Sequence, residues 1–207
     1  MNGNNICTII CGAPDGRIDK ALVEGLVICA DKGFDHALAA GITPDIVVGD
    51  FDSSGLSAPD GIECIRVSSI KDDTDAMLAA NTAIERGCTE LRFLCALGGR
   101  FDHTYANVQM LEHLHRRGIT AVLYGGDEKI ALLHQGDTVR IPRFKGFVSL
   151  FSYTDTATVT EYGMKYEIVR YRLDNRFPLG VSNEVEAECG EIIIHCGTVI
   201  LTEYHGK

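Results

Sequence analysis

Apolar residues along this chain follow two regimes. In the first, short runs of β-branched and aliphatic residues alternate with segments whose apolar positions recur at helical spacing. Ile6 to Cys11, Leu26 to Ala30, Asp45 to Val48, Ile62 to Val67, Leu91 to Leu97 and Ile119 to Tyr124 read as strands. Between them, Ile18 to Glu24, Phe34 to Ala40, Thr74 to Arg86 and Asp102 to Arg117 read as helices, the last three closed by Gly41, Gly87 and Gly118. Strand alternating with helix predicts an α/β domain with a mostly parallel, Rossmann-like sheet over residues 1–125. From Gly125-Gly126-Asp127 onward the helical spacing disappears. Ile130 to His134, Thr138 to Ile141, Phe147 to Tyr153, Ala157 to Thr160, Ile192 to Cys196 and Val199 to Tyr204 are short runs separated by turn residues. They predict a smaller all-β sandwich over residues 126–207, without an internal repeat.

Composition narrows the partners. A chain of 207 residues with 45% hydrophobic and 23% charged content can bury a sizeable core. Its formal net charge of −10 argues against a nucleic-acid backbone as partner. It favours a cationic ligand, or a polyanion that brings its own metal. No apolar stretch approaches the roughly 20 residues of a membrane span, and Met1-Asn2-Gly3-Asn4-Asn5 lacks the basic region of a signal peptide. The expectation is a cytoplasmic protein with neither nucleic acid nor membrane as partner. Eight cysteines without a C-x-x-C pair read as small buried hydrophobes.

Four polar clusters follow strands of the first half: Asp31-Lys32-Gly33, Gly49-Asp50-Phe51-Asp52-Ser53, Lys71-Asp72-Asp73-Thr74-Asp75 and Gly98-Gly99-Arg100-Phe101-Asp102-His103. In a parallel sheet the carboxyl ends of all strands share one edge, so these clusters can converge. Carboxylates there suit Mg²⁺, a hard ion that takes oxygen ligands, beside a phosphate-rich substrate. Lys71 and Arg100 adjoin the same path, and paired glycines let backbone amides approach a phosphate. Each cluster also has a plainer reading. Asp50 and Asp52 suit a turn, Thr74, Asp75 and Asp102 suit helix starts, and the basic residues suit solvated surface pairs.

The order and content of these clusters resemble thiamine pyrophosphokinase. The likeness runs through Gly41-Ile42-Thr43-Pro44 ahead of the second cluster and Asn107 after the fourth. It continues into Gly163-Met164-Lys165-Tyr166 and Gly180-Val181-Ser182-Asn183-Glu184. The resemblance implies transfer of the β,γ-pyrophosphoryl group of ATP to the hydroxyl of thiamine, with Mg²⁺ as cofactor. It also implies a homodimer with the thiamine site at the subunit interface. By position, Asp50, Asp52 and Asp75 would hold metal, with Asp102 close by. Asp31, Gly33, Lys71, Gly99 and Arg100 would line the nucleotide and phosphate path, and Ser182 and Asn183 the aminopyrimidine end of thiamine. Lys32 stands where the family commonly has a second glycine. No tryptophan is present to stack on thiamine, which leaves Tyr166 or Tyr204 for that place. A metal-dependent nucleotide-sugar glycosyltransferase, a non-catalytic nucleotide or thiamine binder, and a relative acting on another hydroxymethyl heterocycle are the alternatives.

Overall fold

Five apolar residues, Ile6–Ile10, make strand β1, and Leu26–Ala30 makes β2 parallel to it. The computed structural model describes residues 5–49, 61–66 and 73–206. The chain divides after Gly126 into two compact units. In the first, β3 (Ile46–Gly49), β4 (Glu63–Arg66), β5 (Glu90–Leu94) and β6 (Thr120–Gly125) complete a parallel set in the order β4-β3-β2-β1-β5-β6. Thr8 is a polar residue inside the central strand. Its hydroxyl donates to the Glu24 carbonyl at 2.8 Å and accepts from the Glu24 amide at 2.9 Å, so burial leaves no polar atom stranded.

Helix α1 (Gly33–Ala39) buries Phe34 and Ala37 against Ile10, Val27, Cys29 and Val47. Helix α2 (Asp75–Glu85) buries alanines at 76, 79, 80 and 83, whose small side chains let it lie close to the sheet. Helix α3 (Phe101–Arg116) turns Val108, Met110, Leu111 and Leu114 inward. Each fully buried Leu, Ile or Phe contributes about 1.5–3 kcal/mol relative to exposure, and Phe93, Ile28 and Leu114 are in that position.

The second unit contains β7 (Glu128–His134), β8 (Thr138–Pro142), β9 (Phe147–Ser152), β10 (Thr156–Tyr162), β11 (Ile168–Asp174), β12 (Cys189–Cys196) and β13 (Thr198–Tyr204). The antiparallel run β7-β13-β9 faces the antiparallel sheet β11-β10-β12-β8. Leu133, Leu150, Val199 and Leu201 of the first run meet Val159, Ile192 and Ile194 of the second in one core.

The expected fold class needs correction. The chain is mostly β, with 43% of described residues in strands and 20% in helices. Its strands make a large mixed sheet and an antiparallel one, not a Rossmann-like parallel α/β domain. Two local causes are visible. The helix expected over Ile18 to Glu24 is a single 3-10 turn, Lys20–Leu22, because Val23 is already extended. Strands β7 and β10 to β13 run to 7 or 8 residues each, as long as α1 itself. Among the described residues no helix is long and apolar enough to cross a membrane.

Candidate active site

The strand order reverses at β1: the chain steps outward through β2, β3 and β4, then returns to place β5 on the other side. Ligands of open parallel sheets bind outside the carboxyl ends at such a reversal. A crevice of about 640 Å³ lies there. Its walls are Cys11 to Pro14 after β1, Ala30 to Lys32 after β2, and Cys95, Ala96, Gly98 and Arg100 after β5. Asp73 to Ala76 at the start of α2, and Asp102, His103, Ala106 and Asn107 on α3, complete it.

Of the residues singled out in the sequence, Asp31, Asp75, Arg100 and Asp102 therefore meet in one place. Gly33 and Gly99 adjoin lining residues in the chain but do not line the crevice themselves. Asp50, Asp52 and Lys71 lie outside the described residues. Ser182 and Asn183 belong to the second unit.

Local chemistry fixes each group. Thr74 caps α2, its hydroxyl accepting from the Met77 amide at 3.3 Å, so the helix start does not need Asp75 as a cap. The Arg100 guanidinium grips Asp102 with both arms, Nε to Oδ1 at 3.1 Å and Nη2 to Oδ2 at 2.5 Å. That contact holds the Asp102 carboxyl below the usual carboxylate range, helped by the His103 amide donating to Oδ1. Both side chains are exposed, so the pair stabilises little and can open at small cost. Asn107 donates from Nδ2 to the Ala96 carbonyl at 2.8 Å and so pins the turn after β5. Gly99 has a φ of +72°, and a Cβ there would lie 2.8 Å from the Pro14 ring, which closes this corner to any other residue.

Four non-glycine residues among those described adopt the left-handed region: Asp31, Cys95, Arg170 and Ser182. Such backbone costs on the order of 1–3 kcal/mol each and gathers at functional places. Asp31 and Cys95 line the crevice. Burial pushes the Cys95 thiol up to about 11 and Cys11 up to about 12. Burial thus disfavours the thiolate form of both, the form a cysteine nucleophile needs. The chemistry of the crevice is that of carboxylates facing a lysine and an arginine.

In the second unit Ser182 is exposed, with its amide donating to Ser149 Oγ at 3.0 Å. Asn183 is only 7% exposed, and its side chain is engaged by the protein itself. Two features escaped the sequence reading. The wall formed by Cys11 to Pro14 follows the central strand and shares the edge of the named clusters. Glu161 is 3% exposed, and in Thr156–Tyr162 it occupies the same alternating face as Ala157 and Val159. A carboxylate at an inward position was the signal.

Residues 20–123 match the thiamin pyrophosphokinase catalytic domain. A thiamine pyrophosphokinase from Bacillus subtilis (strain 168) is 28% identical over 204 residues, covering 93% of this chain and 95% of that one. Among solved structures, thiamine pyrophosphokinase from B. subtilis superposes with a TM-score of 0.87 at 24% identity, over 98% of this chain and 100% of that one. The thiamin pyrophosphokinase of Geobacillus thermodenitrificans gives 0.81 at 24%, over 98% of each chain. That of Candida albicans gives 0.75 at 19%, over 97% of this chain and 89% of its own. These structures share the fold, and the domain match covers half of the sequence. The chain belongs to the thiamine pyrophosphokinase family.

Proposed function

We propose that the crevice outside β1, β2 and β5 binds the triphosphate of ATP and carries out the family's reaction there. That reaction moves the pyrophosphoryl group of ATP to the hydroxyl of thiamine, giving thiamine diphosphate and AMP. The observation that carries the proposal is the meeting of Asp31, Asp75, Arg100 and Asp102, from three separate chain segments, in one crevice. Such transfer asks little covalent chemistry of a protein. It asks for in-line positioning and for neutralised phosphate charge.

Carboxylate oxygens from Asp31, Asp73, Asp75 and Asp102 dominate the charged wall, the donor chemistry that Mg²⁺ takes. Among the described residues no three acidic, histidine or cysteine groups form a ready metal cluster. The proposed set is Asp75 with Asp50 and Asp52, the latter two on sequence grounds. Bound Mg²⁺ would neutralise phosphate oxygens and so favour the leaving of AMP. Arg100 presents to phosphate the same two-armed fork it gives Asp102. Lys32 lines the crevice from the opposite side and adds a point charge, and Lys71 is assigned to the same path by sequence. Asp102 is a weak base while Arg100 holds it, so a role in taking the hydroxyl proton requires Arg100 to move to the phosphate first.

The Ser182 segment is assigned to thiamine, whose fixed positive charge suits a protein of net charge −10. A homodimer belongs to this reading. Exposed Val169, Phe177, Leu179 and Val181 supply apolar surface for a second copy to cover. Light scattering should then report about twice the 22.5 kDa chain mass, and a monomer at assay concentrations would refute the dimer. Cytoplasmic location is carried forward from the sequence. The function is tested by incubating the protein with ATP, Mg²⁺ and thiamine. AMP should appear only when thiamine is present, and its absence would refute the assignment.

A further inference from the structure

The side-chain amide of Asn183 has four hydrogen-bonding positions, and the protein fills all of them. Nδ2 donates to Glu161 Oε2 at 2.5 Å and to the Tyr166 carbonyl at 3.0 Å. Oδ1 accepts from the Tyr166 amide at 3.0 Å and from the Glu184 amide at 3.0 Å. The orientation is unique, because two backbone amides require an oxygen where the carboxylate requires a donor. The backbone of Asn183 is also paired in both directions with Val148, at 2.8 Å each.

A buried group so engaged has nothing left for a ligand. Its neighbours differ. Ser182, one residue earlier, is exposed and held at a φ of +59°. Tyr166 is 65% exposed, with its backbone clamped on both sides by Asn183. Lys165 donates to the Glu184 carbonyl at 2.8 Å and pairs through Nζ with Glu184 Oε1 at 2.6 Å. One amide therefore ties the corner at Lys165-Tyr166 to the corner at Ser182-Glu184.

Under that amide lies Glu161, on the inward face of β10 beside Ile192. An apolar residue would fill this place in the core more simply, since a buried carboxylate is costly unless bonded. Burial indeed raises its pKa, and the Asn183 bond opposes the rise.

We infer that Glu161 and Asn183 are a buried positioning pair, which sets Ser182 and Tyr166 to receive the cationic heteroaromatic acceptor while touching none of it. The inference rests on the assignment of the Ser182 segment to thiamine. Its geometric half stands separately.

The experiment combines hydrogen exchange with steady-state kinetics on the full chain. In Glu161→Ala, exchange at the Tyr166 and Glu184 amides should accelerate tenfold or more. The KM for thiamine should rise about tenfold, with the KM for ATP within twofold of wild type. Glu161→Gln keeps an acceptor oxygen and should recover both to within threefold. Asn183→Ala removes the acceptor of both amides together with the two donors, so it carries the same expectations should Glu161→Ala fail to fold. Unchanged exchange in these variants would overturn the pair. Faster exchange with an unchanged thiamine KM would reduce it to a structural brace and overturn its role in acceptor binding. Wild-type protein that makes no thiamine-dependent AMP would instead refute the functional assignment, and exchange would still decide whether the pair positions its neighbours.

Discussion

Replacing Asp75 with asparagine should lower kcat about a thousandfold or more and leave the fold intact. Two roles compete for this residue. As an acidic side chain in the first turn of α2, it would stabilise the helix dipole by about 0.3–1 kcal/mol. For a chain of this size that is a fall in Tm of roughly 4 °C at most. As a metal ligand it would hold the charge on which transfer depends, and a catalytic contact of that kind is worth roughly two to three orders of magnitude or more. Thr74 already caps the helix. The expected result is therefore a near-wild-type melting curve with turnover lost. A normal kcat with a lowered Tm would return Asp75 to the helix and remove it from the site.

The second large effect is structural. Gly33→Ala should destabilise the protein by about 3 kcal/mol, toward the upper end for overpacking, lowering Tm by roughly 6–12 °C. A Cβ at Gly33 would lie 1.9 Å from the Ile10 carbonyl oxygen and 2.6 Å from its carbon. Both atoms belong to the backbone of β1, and Ile10 is fully buried, so neither can turn aside. Either α1 lifts or the end of β1 moves. Asp31 and Lys32 immediately precede α1, and Cys11 to Pro14 follow β1, so either shift opens the crevice and should weaken ATP binding as well. Thermal melts and the KM for ATP measure the two parts. A Tm within 2 °C of wild type would show that α1 is not seated this closely.

Gly33 also shows what the sequence discloses and what it hides. The sequence marks the glycine as a member of an expected phosphate-lining cluster, yet it does not itself line the crevice. Its contact with Ile10 was not legible, because that depends on how deep α1 lies on the sheet. Helices α2 and α3 were readable to within a residue or two from apolar spacing, the Thr74 cap and the stops at Gly87 and Gly118. Strand β2 was readable to the residue. The overall class was not, since alternation of strand with helix carries no element length, and the apolar spacing over Ile18 to Glu24 suits a helix as well as the 3-10 turn at Lys20–Leu22. Strand β11 was not named, because Arg170 and Arg172 interrupt its apolar residues. It is an edge strand with most of its side chains in solvent.

The crevice was legible for a topological reason: clusters that follow parallel strands share an edge wherever the strands lie in the sheet. The second unit offers no such rule. Glu161 reaches Asn183 across 22 positions of sequence, through a turn and an edge strand whose geometry no local pattern specifies. Only the inward parity of a carboxylate marked it.

The central assignment, transfer of a pyrophosphoryl group as one unit, is tested most directly with ATP labelled in its β-phosphate. Incubated with the protein, Mg²⁺ and thiamine, the label should pass entirely into thiamine diphosphate and leave unlabelled AMP. Label retained in ADP, or no transfer to thiamine, would contradict it.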